Sequence, residues 1–458
     1  MKLYYGLTNY HLLCCILHKF VYNSKEKAIF VTSQGILKKR IEALRESKIF
    51  EEVYYLEDTK VRNFYFNQLS ENSSSSEIEK IADNFLIKYK DILPFNVDNF
   101  SDIYLAADHG VFGLYILIKR NPYNYLEDGR GIYSNWKILD NLLKIKNRGI
   151  QIMSSYYNAY GKSDLIKQRF VAFDSQEKGC KLTNCKNFDI NILLDMLTKE
   201  QLNKILEIFN VSNDRKIIKG KKALILTQRF STYNMLQQDD CVLMYALLCD
   251  FFAKNCEIYL KPHPADKCIY DNVFKEATIL EKELPSELIR YIINNKFDIG
   301  ISTYSSSINS LKPYIKKIYN IDESIVKFKD NIFKLYILFE LAKKIGTTIV
   351  NNEQLLEQLF ENCYNLTQDI KYYFNFSDNE MKDDSIIVKN KHFKGANCVI
   401  RICKNIENKF IAQELLNKNE FLYMNVVNSE VEKSIINFKL DDILPISRVH
   451  ITAYIEKI

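Results

Sequence analysis

Proline, glycine and tryptophan are scarce in this 458-residue sequence, with only 7, 13 and 1 residues respectively. Tyrosine and phenylalanine are abundant instead, at 30 and 28 residues. Together with the many lysine, asparagine and isoleucine residues, this bias is typical of coding in an AT-rich genome, so it carries little functional information. The hydrophobic content of 47% and the charged content of 26% are those of a globular protein. The length allows two domains, each with its own core, and a small third one.

The sequence also lacks a hydrophobic run long enough to cross a bilayer. The best candidate near the start, Tyr10–Tyr22, is interrupted by His11 and Lys19 and falls short of the roughly 20 residues that a membrane helix needs. No signal peptide is recognisable there. We therefore expect a cytoplasmic protein, and the net charge of +6 is compatible with peripheral association with the inner membrane.

Signals for nucleic-acid binding and for a metal centre are absent as well. The net charge of +6 is mild, and Lys and Arg form no stripe interleaved with aromatic residues. Cys180 and Cys185 lie close together, but no second pair completes a zinc site, so we interpret the eleven cysteines as reduced and mostly buried. No Asp-x-Asp pair, Walker motif or GxGxxG loop occurs. A nucleotide would therefore be held by side chains and helix ends, without a metal.

Strand and helix patterns alternate along the first part of the chain. Lys2–Gly6 reads as a strand, Thr8 or Asn9 can cap the helix that follows, and Lys27–Thr32 reads as the next strand. Strand, helix and strand within about thirty residues form a βαβ unit, which implies a parallel sheet. The alternation continues to a strand at Tyr123–Leu126. This part of the sequence predicts a doubly wound α/β domain.

The alternation restarts at Lys221 and reaches a strand at Lys317–Asn320, which predicts a second domain of the same kind. We divide the chain into residues 1–210, a first Rossmann-like domain, 211–375, a second one, and 376–458, a C-terminal extension with no assigned role. Other local predictions are helices at 33–46, 191–209, 243–254 and 285–295, and a polar loop at 70–76.

A pair of acidic residues follows the strand predicted at Tyr123–Leu126. Glu127 and Asp128 precede Gly129, and Asp-Gly is a strong turn dipeptide, so a plain turn is the simplest interpretation. The functional alternative is a carboxylate at a strand end that acts as a general base. Gly129 would then let the backbone approach a ligand closely.

A histidine between two prolines is the second candidate. Ile258–Leu260 reads as a buried strand end, and Pro262 and Pro264 stop the strand because neither can donate a ladder hydrogen bond. His263 is therefore presented on a stiff loop at the carboxyl end of a strand, where open α/β sheets bind ligands. With Lys261 beside it the loop suits a phosphate group, although a lone histidine is more often structural.

A loop rich in hydroxyl groups follows the next predicted strand, Phe297–Ile301. It precedes Ile308 and Leu311, where helical spacing begins. Hydroxyl groups and backbone N–H groups at a helix N-terminus form a phosphate site, whereas a serine run by itself is usually a solvated connection. The hydroxyl residues are Ser302, Thr303, Ser305, Ser306 and Ser307.

The order of these motifs resembles that of the bacterial sialyltransferases with the GT-B fold. The closest resemblance is to the capsule polysialyltransferase family, which is related to the lipooligosaccharide sialyltransferases. It covers roughly residues 100–315. The segments that carry it are Glu127–Gly131, Thr227–Arg229, Lys261–Pro264 and Ser305–Ser307.

The resemblance implies two Rossmann-like domains facing a cleft, an acceptor-side domain first and a CMP-sugar-binding domain second. It implies inverting, metal-independent transfer of sialic acid from CMP-sialic acid to a cell-surface glycan of capsule or lipooligosaccharide type, with no cofactor. Asp128 is then the base, in preference to Glu127, and His263 stabilises the leaving phosphate. The residues assigned to the CMP-sugar are Gly129, Thr227, Gln228, Lys261, Pro264, Ser302, Thr303, Ser305, Ser306 and Ser307.

Two other functions fit the same motifs. A teichoic-acid-type CDP-glycerol or CDP-ribitol phosphotransferase also carries His-Pro and serine loops on a GT-B fold. A capsule-assembly scaffold would keep the fold without turnover. Use of CDP-glycerol would favour the first alternative, and nucleotide binding without release of CMP would favour the second.

Overall fold

The computed structural model describes residues 1–321, except 34, 129–147, 173–182, 212–219, 233, 254, 294–295, 304 and 306, together with short strands between 373 and 457. The chain forms two compact units. Unit 1 comprises Met1–Lys216 and Glu287–Ile292, and unit 2 comprises Ile217–Ser286 and Ile293–Ile458. The chain therefore leaves unit 1, returns to it for six residues and leaves again.

Unit 1 is built on a seven-stranded sheet with helices between its strands. The strands are β1 Lys2–Tyr5, β2 Ala28–Thr32, β3 Glu52–Tyr55, β4 Asp102–Leu105, β5 Tyr123–Leu126, β6 Ile166–Val171 and β7 Cys185–Asn187. The helices are Asn9–Tyr22, Lys38–Ser47, Thr59–Phe66, Ser75–Ile92, Val111–Ile118, Arg148–Tyr156, Ile190–Asp195 and Lys199–Ile208, with a 3-10 turn at Val97–Asn99. The strand order is β3-β2-β1-β4-β5-β6-β7, and every pairing is parallel. The continuous burial of β1, β2, β4 and β5 is that of strands covered on both faces.

Unit 2 contains a five-stranded parallel sheet. Its strands are β8 Lys221–Leu226, β9 Cys256–Lys261, β10 Thr278–Ile279, β11 Phe297–Thr303 and β12 Ile315–Ile321, in the order β10-β9-β8-β11-β12. Its helices are Gln238–Phe252 and Ser307–Ser310, with a 3-10 turn at Lys312–Tyr314. Two successive units with parallel, doubly wound sheets confirm the predicted α/β class and the pair of Rossmann-like domains that the GT-B fold requires.

Residues beyond 372 contribute a further sheet to unit 2, of mixed direction. Its strands are β13 Tyr373–Phe374, β14 Ile386–Lys389, β15 Cys398–Lys404, β16 Leu422–Asn428, β17 Ser434–Lys439 and β18 Val449–Lys457. The order is β13-β14-β15-β18-β16-β17, with β16 and β18 parallel and the other pairs antiparallel. The apolar runs of the C-terminal extension therefore form strands.

Two helix boundaries differ from the predictions because of side-chain caps. The helix placed after a polar loop at 70–76 begins at Ser75, because Ser74 and Glu77 form a capping box in which each satisfies a backbone N–H of the other. The single helix predicted at 191–209 is two helices. Thr198 and Gln201 form a second capping box that starts Lys199–Ile208. The Thr8 cap is confirmed: its hydroxyl accepts from the His11 N–H at 3.2 Å.

Three further predictions placed helix boundaries wrongly. The helix predicted at 33–46 begins only at Lys38, because Gly35 has φ +96°, and a Cβ there would lie 2.4 Å from the carbonyl oxygen of Leu7. The helix predicted at 243–254 begins earlier, at Gln238. The one predicted at 285–295 is a 3-10 helix over Ser286–Tyr291.

Candidate active site

Three adjacent strands of unit 1, β1, β4 and β5, end beside one another at one edge of the sheet. In parallel strands the carboxyl ends lie on the same side, so the residues that follow them converge. β1 leads to His11 in the first turn of the next helix, β4 leads to Asp108 and His109, and β5 leads to Glu127 and Asp128. This edge therefore collects two imidazoles and three carboxyl groups.

Asp128 lies at the centre of this group. Its side chain is only 3% exposed, and its Oδ2 lies 3.9 Å from Nδ1 of His109. The buried His11 hydrogen-bonds the Asp128 backbone, while its Nδ1 accepts from the Leu7 N–H at 3.2 Å. Burial, and next the charge of His109, lower the pKa of His11 to about 3, so His11 is neutral at physiological pH. The Asp128 loop is thus held through its backbone, and its carboxylate faces His109.

The ring of His109 lies flat against Tyr160. The ring centroids are 4.3 Å apart, and the planes differ by 7°. Asp108 fixes the Tyr160 segment, because its carboxylate accepts from the N–H groups of Tyr160 and Gly161 at 2.7 and 2.8 Å and from the Tyr123 hydroxyl at 2.7 Å. Burial raises the pKa of Asp108 to about 6, against the opposing effect of these hydrogen bonds.

Glu127 and Asp128 differ in their surroundings. Glu127 is buried, and its Oε2 accepts a hydrogen bond from the N–H of Ala172, just past the end of β6, at 2.9 Å. That bond commits one oxygen of Glu127 to the backbone, whereas the Asp128 carboxylate faces a titratable ring. Asp128 is therefore the better placed of the two for proton transfer. Gly129 lies outside the described residues.

Unit 2 presents His263 in a defined tautomer. Its Nδ1 accepts a hydrogen bond from the Ala265 N–H at 3.0 Å, so in the neutral ring the proton is on Nε2. The His263 N–H donates to the Thr227 hydroxyl at 3.1 Å, and its carbonyl accepts from the Asp266 N–H at 2.8 Å. These bonds hold a half-buried imidazole with its Nε2 as the hydrogen-bond donor. The adjacent Pro264 is exposed.

Thr227 and Lys261, two residues predicted to bind the nucleotide, form hydrogen bonds that stabilise the His263 loop. The buried Thr227 hydroxyl donates to Asp266 at 2.8 Å, and the Tyr270 hydroxyl donates to the same carboxylate oxygen at 2.6 Å. The buried Lys261 ammonium donates to the carbonyls of Pro262 and Lys282 at 2.8 and 2.7 Å. In this structure Thr227 and Lys261 therefore bond to the protein itself.

The predicted serine loop divides into buried and accessible hydroxyls. Ser302 and Thr303 are fully buried at the end of β11. The Ser302 hydroxyl donates to Asn320 at 2.7 Å, and that of Thr303 lies 2.5 Å from the Tyr245 hydroxyl, which also accepts from the Gln228 N–H at 2.7 Å. Ser305 and Ser307 are half-buried beyond the strand, and Ser306 lies outside the described residues.

The sheet order of unit 2 brings these loops to one edge. β8 lies between β9 and β11, so the Thr227–Gln228 turn lies between the His263 loop and the Ser305 loop. An accessible histidine, two half-buried serines and the backbone between them form the groups that a phosphate would meet here.

Sequence reasoning missed three members of the unit 1 group. These are His109, His11 and Tyr160, none of which belongs to the motifs singled out in the sequence. His109 comes four residues after the end of β4, and Asp128 comes two residues after the end of β5. A position shortly after a buried strand was therefore the available signal. Among the described residues no cluster of three or more His, Cys, Asp or Glu side chains could hold a metal ion, and no helix is long and apolar enough to cross a membrane.

Residues 16–323 match the alpha-2,8-polysialyltransferase family, and this range is more than half of the chain. The chain belongs to this family. The matched range contains Asp128, His263 and the Ser305–Ser307 loop, and the resemblance inferred from these motifs is confirmed.

Other similarities of this alpha-2,8-polysialyltransferase family member are distant. An uncharacterized protein of Haemophilus influenzae is 22% identical over 206 residues, which are 45% of this chain and 64% of that protein, so the match spans less than two thirds of the relative. The Photobacterium phosphoreum alpha/beta-galactoside alpha-2,3-sialyltransferase is 12% identical, over 72% of this chain and 95% of that one, with a TM-score of 0.41. The Neisseria meningitidis UDP-GlcNAc 2-epimerase is 11% identical, over 79% and 94%, with a TM-score of 0.40. Scores at this level assign no function.

Proposed function

We propose that the protein is an inverting sialyltransferase that transfers sialic acid from CMP-sialic acid to a cell-surface glycan, without a metal ion. The observation that carries the proposal is the family match, because a single matched range includes both the acidic loop of unit 1 and the His263 and serine loops of unit 2. The acceptor would be a capsule or lipooligosaccharide glycan, and the protein would act at the cytoplasmic face of the inner membrane.

In the proposed reaction an acceptor hydroxyl attacks the anomeric carbon of the sialic acid while the bond from that carbon to the CMP phosphate breaks. Asp128 takes the proton of the hydroxyl. His263, through its Nε2–H, stabilises the charge that develops on the departing phosphate, and Ser305 binds the same phosphate. The transition state has oxocarbenium character, as in glycoside hydrolysis. Such a reaction requires one positioned group to take the proton of the acceptor hydroxyl and another to stabilise the charge on the departing phosphate.

A CMP-release assay with CMP-sialic acid and a panel of glycan acceptors tests this proposal. The expected result is acceptor-dependent release of CMP together with a sialylated product. Turnover of CDP-glycerol or CDP-ribitol instead would point to the phosphotransferase. Binding of CMP-sialic acid without release on any acceptor would point to the scaffold.

A further inference from the structure

The contact between His109 and Asp128 has a geometry that suggests a role for the imidazole. We propose that His109 is a positioning residue for Asp128: its Nδ1 holds Oδ2, and this contact fixes the orientation in which the carboxylate meets the acceptor hydroxyl. This inference rests on the proposed function, in which Asp128 is the base. His109 itself would touch neither the donor nor the reacting atoms.

The distance of 3.9 Å between Nδ1 and Oδ2 is too long for a hydrogen bond but within the range of charge interaction. Hydrogen bonds of catalytic groups are often long without substrate and shorten when it binds. Asp128 is 3% exposed and His109 24%, so water screens the interaction only weakly. A small movement of either side chain would complete a strong bond in a buried setting.

Asp108 positions the His109 imidazole in two ways. It is the residue before His109 in the chain, and its carboxylate accepts hydrogen bonds from the N–H groups of Tyr160 and Gly161. The Tyr160 ring in turn stacks on His109. Arg169 adds a hydrogen bond from its Nε to the Gly161 carbonyl at 2.8 Å. Tyr160 has φ +60°, a left-handed conformation that non-glycine residues rarely adopt. A strained backbone held in this way is typical of a functional site.

Of the two imidazoles beside Asp128, that of His109 faces the carboxylate and that of His11 the backbone. His11 contacts the Asp128 backbone, but burial lowers its pKa to about 3, so it is neutral. Burial, followed by the charge of Asp128, raises the pKa of Tyr125 and of Tyr160 well above the ordinary value, so both hydroxyls keep their protons. Tyr10 behaves in the same way, chiefly because it is buried.

The two amide substitutions of His109 separate positioning from packing. The side-chain nitrogen of asparagine can occupy the place of Nδ1, whereas that of glutamine reaches the place of Nε2, which does not face Asp128. Both amides lose the aromatic stack on Tyr160, so they are matched controls. We expect kcat of His109→Asn to exceed that of His109→Gln at least tenfold. His109→Phe keeps a stacked ring without nitrogen and should lower kcat by about 10- to 100-fold with KM little changed.

Equal kcat values for the asparagine and glutamine variants, or full activity of His109→Phe, would overturn the inference while leaving the proposed function standing if the wild type releases CMP. A second experiment, nuclear magnetic resonance of the His109 ring, tests the contact with Asp128 without depending on turnover. The ¹⁵N chemical shifts of the His109 ring should move in Asp128→Asn and stay in place in Glu127→Gln. Unmoved shifts in Asp128→Asn would refute the pairing even in a protein that transfers no sialic acid.

Discussion

Asp128 and Glu127 are adjacent acidic residues with different surroundings. Asp128→Asn removes the proposed base while keeping the shape of the side chain, so we expect transfer to fall by at least about 10²-fold, the lower end of what a general base contributes. Binding of CMP should be nearly unchanged, because His263 and Ser305, the groups proposed to contact its phosphate, belong to unit 2. Steady-state CMP release and calorimetric titration with CMP measure the two effects. Glu127→Gln is the control, and its amide oxygen can still accept from Ala172. Full activity in Asp128→Asn would show that Asp128 is not the base and that this loop is a plain turn.

The tautomer of His263 leads to a second prediction. Because Nε2 carries the proton, His263→Gln, whose amide nitrogen can replace Nε2, should retain more activity than His263→Asn. His263→Ala should lower kcat more than it weakens CMP binding, since a donor to the leaving phosphate acts mostly in the transition state.

Ser305→Ala should weaken CMP binding itself, by about 0.5–1.5 kcal/mol.

The effects of His263→Ala and Ser305→Ala are also expected to be non-additive, because both side chains would contact the same phosphate. A double-mutant cycle on kcat and on CMP affinity tests this. Strict additivity, or no loss of CMP affinity in Ser305→Ala, would mean that the nucleotide site is misplaced.

At the scale of elements, the segment that carries Tyr160 depends on one buried carboxyl group. The pKa of Asp108 is about 6 in the fold and about 3.9 in an unfolded chain, so between these values the native state binds more protons. The contribution of Asp108 to the free energy of unfolding is therefore larger near pH 4 and is lost as pH rises through 6, by on the order of 2–3 kcal/mol.

The variant Asp108→Asn lacks this titration. We expect the stability advantage of the wild type over Asp108→Asn to be larger at pH 4.5 than at pH 7.5, which urea unfolding followed by circular dichroism would measure. Groups common to both proteins cancel in the difference. An advantage that stays constant or grows with pH would show that Asp108 does not titrate as described.

The elements that the sequence predicted best were those with the simplest pattern. β1, β5 and β8 are short segments in which apolar and aromatic residues predominate, and this pattern indicates a strand. The helix starts at Ser75 and Lys199 differ from the predictions although Ser74–Glu77 and Thr198–Gln201 are capping boxes in the sequence. The serine cluster indicated a loop up to residue 76, and the pattern over 191–209 indicated a single helix.

The candidate site was predictable only in part. Asp128 and His263 stand out because each follows a strand and is flanked by glycine or proline. His109 pairs with Asp128 only because β4 lies between β1 and β5, an order that the sequence does not state. Conversely, Thr227 and Lys261 look like ligands in the sequence, but their partners, Asp266 and the carbonyl of Lys282, are revealed only by the fold.

At the scale of the whole molecule, the absence of an Asp-x-Asp pair predicts turnover without a divalent metal. Activity should be unchanged in EDTA and unaffected by added Mg²⁺ or Mn²⁺, as measured by CMP release after extensive dialysis. A loss of activity in EDTA that either ion restores would contradict the prediction. A dialysed sample without chelator is the control for losses in handling.

The return of Glu287–Ile292 to unit 1 has a consequence for synthesis on the ribosome. Leu288 and Ile289 of this segment are completely buried, and Arg290 pairs with Asp195. Unit 1 therefore cannot be completed when Lys216 emerges. At ~5–20 residues per second the missing segment arrives roughly 4–15 s later, after β8, β9 and β10 have been made. Each nascent chain must pass through an interval in which the first unit still exposes apolar surface, and a chaperone that binds such surface would find its target there.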